Sequence, residues 1–128
     1  MSRSTDDFFE SVSLSYKASF EMMMRSTSDS IYFKDCQSRF LFVSNAQLRR
    51  LNITQMRDVI GKTDYDFFSK EHADKAFQEE QEIIQTGCPI INEEEHSAFA
   101  NGELLWSKVS RYPLYDHEGN IVGTWGIS

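Results

Sequence analysis

Apolar residues near the start of the chain recur at steps of four and three, which lays one stripe along one side of a helix. The stripe consists of Phe8, Val12, Tyr16, Phe20, Met23 and Met24. Ser4 or Thr5 could cap this helix, because either hydroxyl can accept a hydrogen bond from the first turn. The helix either folds back on its own domain or packs against a second copy of the chain, and the stripe is too short to decide. In the second case the dimer interface comprises Phe8, Val12, Tyr16, Phe20 and Met23.

Two short runs rich in β-branched and aromatic residues come next, IYFKD at 31–35 and RFLFVS at 39–44. The polar break CQS between them indicates a turn. The two runs therefore predict adjacent antiparallel strands.

The middle of the chain is typical of helices. The stretch AQLRRL after Asn45 predicts a short one, and a longer helix begins near Ser69. It ends at Gly87, because Pro89 two residues later prevents its continuation. Its predicted core-facing residues are Ala73, Ala76, Phe77, Ile83 and Ile84.

The last third of the chain predicts three strands joined by two hairpin turns. Asn101-Gly102 indicates a two-residue type I′ turn, and DHEGN indicates the second turn, with Gly119 at the position that needs a positive φ. Counting outward from the first turn, the predicted cross-strand pairs are Phe99 with Leu104, Ser97 with Trp106 and Glu95 with Lys108. The whole order predicts an α+β domain whose antiparallel sheet carries its helices on one face.

Composition narrows the function classes. A chain of 128 residues, 40% hydrophobic, has the size of one domain with its own core. The net charge of -7 opposes extended contact with phosphate backbones, so we predict no nucleic-acid partner. Cys36 and Cys88 show no CxxC spacing, which favours a reduced, cytoplasmic setting. No run approaches about 20 apolar residues and no signal peptide precedes the domain, so we expect no direct membrane contact.

Five motifs occur in one order along the chain: IYFKD at 31–35, RFLFVSN at 39–45, IGKTDYDFF at 60–68, TG at 86–87 and PLYDHEGNIVGTWGIS at 113–128. Together they resemble the PAS domains of bacterial sensor proteins, from about Ser30 to the end of the chain. The resemblance implies a five-stranded antiparallel sheet of order 2-1-5-4-3, with helices closing a pocket over one face. It also implies a division into a flanking helix at 1–27 and a sensory domain at 28–128.

The same resemblance gives the segment IGKTDYDFF an architectural role. Gly61 is expected to allow an unusual backbone angle, and Asp64 to cap the next helical turn. Phe67 and Phe68 are expected to anchor the segment in the core. We therefore interpret Asp64 and Asp66 as capping or solvated carboxylates and not as an acid and base pair.

No cofactor site is predicted. His72 lies at the start of the long helix, the element that carries the axial ligand in haem-binding relatives, but without a matching ligand set it is interpreted as a surface histidine. His96 and His117 have no partner at metal spacing. The flavin-binding branch needs a cysteine in the segment after the first helices, and this chain has NAQLRRL there. We therefore predict no metal, no haem and no flavin, and interpret the two cysteines as inert.

A pocket for a small organic ligand between sheet and helices remains possible. Its candidate residues are Asn45, Trp106, Lys108, Arg111 and Tyr112. Two alternatives accompany this assignment: Lys108 could instead pair with Glu95 across the strands, and Trp106 could lie on the outer sheet face that a partner covers.

The main hypothesis is a sensory module that senses a small molecule or other cue. It relays the signal through a homodimer interface to a C-terminal histidine kinase, diguanylate cyclase or phosphodiesterase unit. The alternative is a ligand-free dimerisation and docking module whose cavity its own aromatic side chains fill. An enzyme is the last choice, because no nucleophile, base and orienting group occur together in the pattern.

Overall fold

The computed structural model describes residues 15–128. Helix α1 spans Tyr16–Ser26, and the Ser15 hydroxyl caps it by accepting a hydrogen bond from the Ala18 N–H at 3.0 Å. The backbone of Ser15 is extended, so α1 begins at Tyr16 and the predicted stripe is not one uninterrupted helix across Ser15. The predicted interface residues Phe8 and Val12, and the predicted caps Ser4 and Thr5, lie outside the described residues.

The described chain forms a five-stranded antiparallel sheet of order β2-β1-β5-β4-β3, which confirms the predicted fold class and topology. The strands are β1 (Ile31–Asp35), β2 (Phe40–Val43), β3 (Ile90–Ala98), β4 (Leu104–Tyr115) and β5 (Ile121–Ile127). The remaining helices are α2 (Asn45–Arg50), α3 (Lys70–Thr86) and two 3₁₀ turns at Met56–Asp58 and Asp64–Asp66. No helix in the described part is long and apolar enough to cross a membrane.

Helix α3 starts and stops where the sequence predicts. The Ser69 hydroxyl accepts a hydrogen bond from the His72 N–H, and Gly87 ends the helix in a left-handed conformation. Its inward stripe is Ala73, Ala76, Glu80 and Ile83. Phe77 is exposed, so its predicted core position is wrong: the stripe that faces the sheet continues from Ala76 to Glu80, and Phe77 lies at its edge.

The β3–β4 hairpin differs from its predicted register by one residue. Gly102, at φ +90°, donates its N–H to the Phe99 carbonyl at 3.0 Å, and the Phe99 N–H donates to the Glu103 carbonyl at 3.0 Å. This is a three-residue loop at 100–102, in which only Gly102 has a positive φ, so the predicted two-residue type I′ turn is wrong.

The shift changes which side chains share a face, because successive residues of a strand point to opposite faces. Glu95 pairs with Ser107, and Lys108 pairs with Glu94. Glu95 therefore points toward the helices, whereas Trp106 and Lys108 point outward and are exposed. The predicted pairs of Ser97 with Trp106 and of Glu95 with Lys108 are not formed.

The two faces of the sheet carry different side chains. The face under α2 and α3 holds the apolar core, which comprises Tyr32, Phe40, Val43, Leu48, Leu51, Val59 and Phe68. The opposite face carries an aromatic row formed by Phe42, Phe33, Trp125 and Tyr112. Phe20 of α1 packs on this row, with its ring centroid 5.3 Å from that of Phe42 and 5.5 Å from that of Phe33. Tyr16 and Met23 of α1 are exposed.

Candidate functional site

A lysine occupies the interior of the domain. Alternation along β1 turns Tyr32 and Lys34 toward the helices, and Lys34 is only 1% exposed. Its Nζ donates to Asp64 Oδ2 at 2.9 Å and to Glu80 Oε2 at 2.7 Å. It also lies 4.7 Å from the ring centroid of Tyr32 and 4.8 Å from that of Phe40, which are cation–π distances. One ammonium therefore joins β1, the 3₁₀ turn Asp64–Asp66 and α3.

Burial and ion pairing act in opposite directions on this group. Burial lowers the pKa of Lys34, but Asp64 and Glu80 outweigh that effect and raise it, so the ammonium is charged. Burial raises the pKa of Glu80, with Lys34 opposing and Asp64 reinforcing the rise. Glu80 Oε1 has no hydrogen-bond partner in the described chain. Two buried carboxylates thus share one ammonium group.

A buried arginine forms a second cluster. Arg111 of β4 is 3% exposed, and its Nη2 donates to Glu95 Oε2 at 2.9 Å. Its Nε lies 3.7 Å from Glu79 Oε2, beyond hydrogen-bond distance. Within residues 15–128, Arg111 Nε, Arg111 Nη1 and the Tyr32 hydroxyl are buried without a hydrogen-bond partner. Such unpaired donors are uncommon in protein interiors, and they indicate a bound water or a small polar ligand.

A cavity of about 30 Å³ lies beside Arg111. Its polar walls include Tyr32, Gln47, His72, Glu95, Ser97 and Arg111. The Tyr32 ring forms one wall because it packs directly on Gly126 of β5, where any Cβ would overlap the ring. The cavity has room for about two water molecules, since one water needs roughly 10–15 Å³ measured in this way.

His72 is part of this interior, so the prediction of a surface histidine is wrong. Its side chain is 8% exposed, its ring centroid lies 4.4 Å from that of Phe68, and its Nε2 lies 3.6 Å from Glu95 Oε1. Burial lowers the pKa of His72 despite the nearby Glu95. The neutral imidazole is a wall of the cavity. The only local signal for a buried His72 was its position four residues after Phe68, across the start of α3.

Of the five predicted pocket residues, only Arg111 lines the cavity. Asn45 is the first residue of α2, and the inward-facing polar residue of that helix is Gln47. Trp106 and Lys108 point outward because of the hairpin register. Tyr112 also lies on the outer face, where its ring stacks on Trp125 at 4.5 Å.

Sequence reasoning missed most residues of the site, among them Tyr32, Lys34, Glu80 and Glu95. Two of them left a signal in the pattern. Lys34 occupies an inward position of a strand, and Glu80 interrupts the apolar stripe of α3. A charge in a stripe of buried positions indicates a partner, but the partner's position along the chain is not encoded locally.

The segment 60–68 contains the 3₁₀ turn Asp64–Asp66 and leads into α3. Gly61 has φ +83°, Phe68 lies in the core and Phe67 packs against it. The Asp66 carboxylate accepts the Thr63 N–H at 2.9 Å, so Thr63 and Asp66 cap the 3₁₀ turn. The prediction that Asp64 is the cap is wrong, because its carboxylate is buried in the ion pair with Lys34.

One group of carboxylates in the described range has metal-like spacing: Glu79, Glu93 and Glu95, whose ligand atoms lie within 4.8 Å of one another. Positive charge already surrounds this group. Lys75 Nζ lies 2.9 Å from Glu93 Oε1, and Arg111 pairs with Glu95. The acids therefore have protein counter-ions, and we assign no metal to them. His96 and His117 are exposed, and Cys36 and Cys88 are free thiols.

Comparison with known proteins gives consistent matches. Residues 24–128 match the family model described as the PAS fold. A diguanylate cyclase of Vibrio cholerae is 23% identical over 109 residues, which cover 84% of this chain and 34% of that protein. The methanogenesis regulatory histidine kinase FilI of Methanothrix harundinacea is 27% identical over 109 residues, covering 85% of this chain and 12% of the kinase. The chain thus spans about a third or less of these relatives.

Among solved structures, the complex of Vibrio cholerae VqmA with ligand and DNA superposes with a TM-score of 0.75 at 20% identity, covering 90% of this chain and 50% of that one. The VqmA dimer without target DNA gives the same TM-score and identity, covering 89% and 51%. At this identity the likeness concerns the fold.

Replacing Lys34 tests whether its ammonium holds the buried acids together. We expect Lys34→Met to lower the free energy of unfolding by roughly 3–5 kcal/mol, because Asp64 and Glu80 are left buried without a counter-charge. Lys62→Met, at an exposed position, is the matched control and should change it by less than about 0.5 kcal/mol. Urea unfolding followed by circular dichroism measures both. Adding Asp64→Asn and Glu80→Gln to Lys34→Met should restore much of the loss, and a triple variant no more stable than the single one would contradict the ion-pair account.

The raised pKa of Glu79 predicts that the stability of the domain depends on pH. Burial raises the pKa of its carboxyl to about 7 against the pull of Arg111, and the hydrogen bond to Glu93 raises it further. The folded state therefore holds a proton that the unfolded state releases above about pH 4.5. Reduced for the partial exposure of the side chain, this contribution to stability is on the order of 2 kcal/mol. It is fully present below about pH 4.5 and is lost as the pH rises to and through about 7.

Unfolding of wild type and Glu79→Gln between about pH 5 and pH 8 measures that loss, since the amide cannot titrate. The stability of wild type relative to the variant should fall with rising pH. Glu82→Gln, exposed on the same helix, is the control and should follow wild type. Parallel curves for wild type and Glu79→Gln would mean that Glu79 titrates normally and that Glu93, Glu95, Arg111 and Lys75 do not perturb it.

Proposed function

Because the chain belongs to the PAS fold family, we propose that it is the sensory module of a signal-transduction protein, which binds a small molecule between its sheet and helices. The observation that carries the proposal is the cavity beside Arg111. Two residues that line it carry buried donors without protein partners in the described chain, namely Arg111 Nε, Arg111 Nη1 and the Tyr32 hydroxyl. Convergent, buried and unpaired polar groups are what fix the orientation of a small ligand.

The charges of the interior favour an uncharged ligand with a carbonyl or similar acceptor. Arg111 is already paired with Glu95, and Lys34 with Asp64 and Glu80, so neither of these two buried cations needs a charged ligand as counter-ion. An acceptor atom could take a hydrogen bond from Arg111 without disturbing these pairs. VqmA, a fold relative, is described in complex with DPO, which supports ligand binding by such a fold but not the identity of the ligand.

We further propose that the signal leaves through a dimer interface. The exposed Tyr16 and Met23 of α1, together with the aromatic row of the outer sheet face, form its described part, to which Phe8 and Val12 would add. Residues 1–27 would then be the flanking helical segment and 28–128 the sensory domain. The output would be a C-terminal histidine kinase or cyclase unit, as the names of the relatives suggest. The module itself is proposed to be non-catalytic and cytoplasmic.

Nucleic acid is not proposed as a partner of this domain. The VqmA complex contains DNA, but the present chain covers only half of that protein. The net charge of -7 makes a contact with the phosphate backbone through this domain unfavourable.

A second function is supported by the size of the cavity. Its roughly 30 Å³ holds water but no metabolite unless side chains move. A ligand-free module that only dimerises or docks would keep such a cavity hydrated and would use the aromatic outer face alone.

Native mass spectrometry, followed by a denatured spectrum of the same sample, tests the proposal. We expect the purified protein to carry extra mass that disappears on denaturation, and we expect Arg111→Gln combined with Glu95→Gln to lose that mass while remaining folded. Arg57→Gln, at an exposed site, should keep it. A dimer without extra mass, whose melting temperature no metabolite in a screen raises, would reject the sensory function in favour of the docking module.

A further inference from the structure

Arg50 is the last residue of α2, and it lies between two spaces. On one side it lines the small cavity beside Arg111, and on the other it lines a groove of about 450 Å³ between α2 and the β3–β4 hairpin. Arg50 therefore belongs to the lining of both spaces.

The guanidinium of Arg50 is half-buried and short of counter-charge. Its Nη1 donates to the Ser128 hydroxyl at 2.8 Å, and no carboxylate in residues 15–128 lies within ion-pair distance of it. Burial lowers the pKa of Arg50, and the more distant Glu95 only partly opposes this. Arg111, by contrast, has Glu95 as a direct partner. An arginine presents five N–H donors in a planar fork, so most of the capacity of Arg50 to bind an oxyanion is unused.

The groove itself combines charge with apolar surface. Arg50 and the exposed Arg49 contribute two positive charges, and Glu103 at the hairpin contributes one negative charge. Phe99, Leu104 and Leu105 form its apolar wall, and Leu104 is 69% exposed. The groove therefore carries a net positive charge on a chain whose net charge is -7, beside apolar surface that a ligand could cover.

We propose that Arg50 binds the carboxylate of a small aliphatic acid whose hydrocarbon part lies against Phe99, Leu104 and Leu105. The carboxylate accepts two hydrogen bonds from the guanidinium and supplies the negative charge that residues 15–128 do not place beside it. The site rests on the proposed sensory function, which it extends by a ligand class and by a location distinct from the cavity beside Arg111.

Binding at this site acts on the end of β5. The carboxylate competes with the Ser128 hydroxyl for Arg50, and Ser128 pairs through its backbone with Ser30, which also lines the groove. Ligand binding therefore replaces the Arg50–Ser128 hydrogen bond by an Arg50–carboxylate contact. This change occurs at the point where the proposed output segment would follow. A ligand shifts an equilibrium only through contacts that differ between two states, and the Arg50–Ser128 bond is such a contact.

Butyrate is a suitable probe, with butyramide as its uncharged counterpart of nearly the same shape. Both are titrated into the ¹⁵N-labelled protein at constant ionic strength, up to about 100 mM, and followed by backbone amide and Arg Nε–H resonances. We expect saturable shifts from butyrate at Ser30, Arg50, Leu105 and Ser128, and at least tenfold weaker binding of butyramide.

Variants separate Arg50 from its neighbour. Arg50→Gln should weaken butyrate binding at least tenfold, whereas Arg49→Gln should stay within about threefold of wild type because its side chain is exposed. Arg50→Lys keeps the charge without the planar fork, so it should bind several-fold more weakly than wild type. If Arg50→Gln does not fold, the Arg50→Lys variant tests the site in its place.

Several results would overturn the site: no saturable shift from butyrate, an equal response to butyramide, or unchanged binding in Arg50→Gln or, if that variant does not fold, in Arg50→Lys. Shifts confined to Ser97, Ser107 and Val109 would also overturn it, because those residues line the cavity and not the groove. Since native mass spectrometry tests the cavity separately, extra mass found alongside any of these results would leave the sensory function standing.

Discussion

The arrangement of the interior of this domain depends on the ion pairs that the buried ammonium of Lys34 forms with two carboxylates. This ammonium holds Asp64 at 2.9 Å and Glu80 at 2.7 Å, and so connects the first strand to the turn before α3 and to the middle of α3 itself. A charge at 1% exposure is tolerated only where it is paired and hydrogen-bonded. The position of α3 over the sheet is therefore constrained by two short ion pairs as well as by the packing of Ala73, Ala76 and Ile83.

Ion pairs of this kind define geometry more than they add stability, because the cost of removing the charges from water offsets most of their attraction. The interior contains a second buried cation, Arg111, with Glu95 as its direct partner. Lys34 lies over the Tyr32 ring, and Tyr32 and Arg111 both line a small polar cavity between sheet and helices. A core assembled in this way is able to bind water or a small polar molecule, which an apolar core cannot.

Elements that depend on local patterns were predictable from the sequence, and those that depend on distant partners were not. The five strands and the limits of α3 at Ser69 and Gly87 follow from alternation and capping, whereas the strand order was implied by the resemblance to PAS domains. The pairing of Lys34 with Glu80 joins residues 46 positions apart, and no periodicity encodes it. The faces of β3 and β4 depended on one turn, because Asn101-Gly102 suits two loop types. A difference of one residue placed Leu105 and Ser107, instead of Trp106 and Lys108, beside Ser97 and Glu95 on the inner face.

A crystal structure of the chain at a resolution that orders buried waters tests most directly whether the charged interior encloses a polar binding cavity. The account predicts Lys34 Nζ within hydrogen-bond distance of both Asp64 and Glu80, and density from water or a ligand contacting Arg111 and the Tyr32 hydroxyl. An Arg111 side chain that points to solvent, or a cavity closed by apolar side chains without such density, would contradict it.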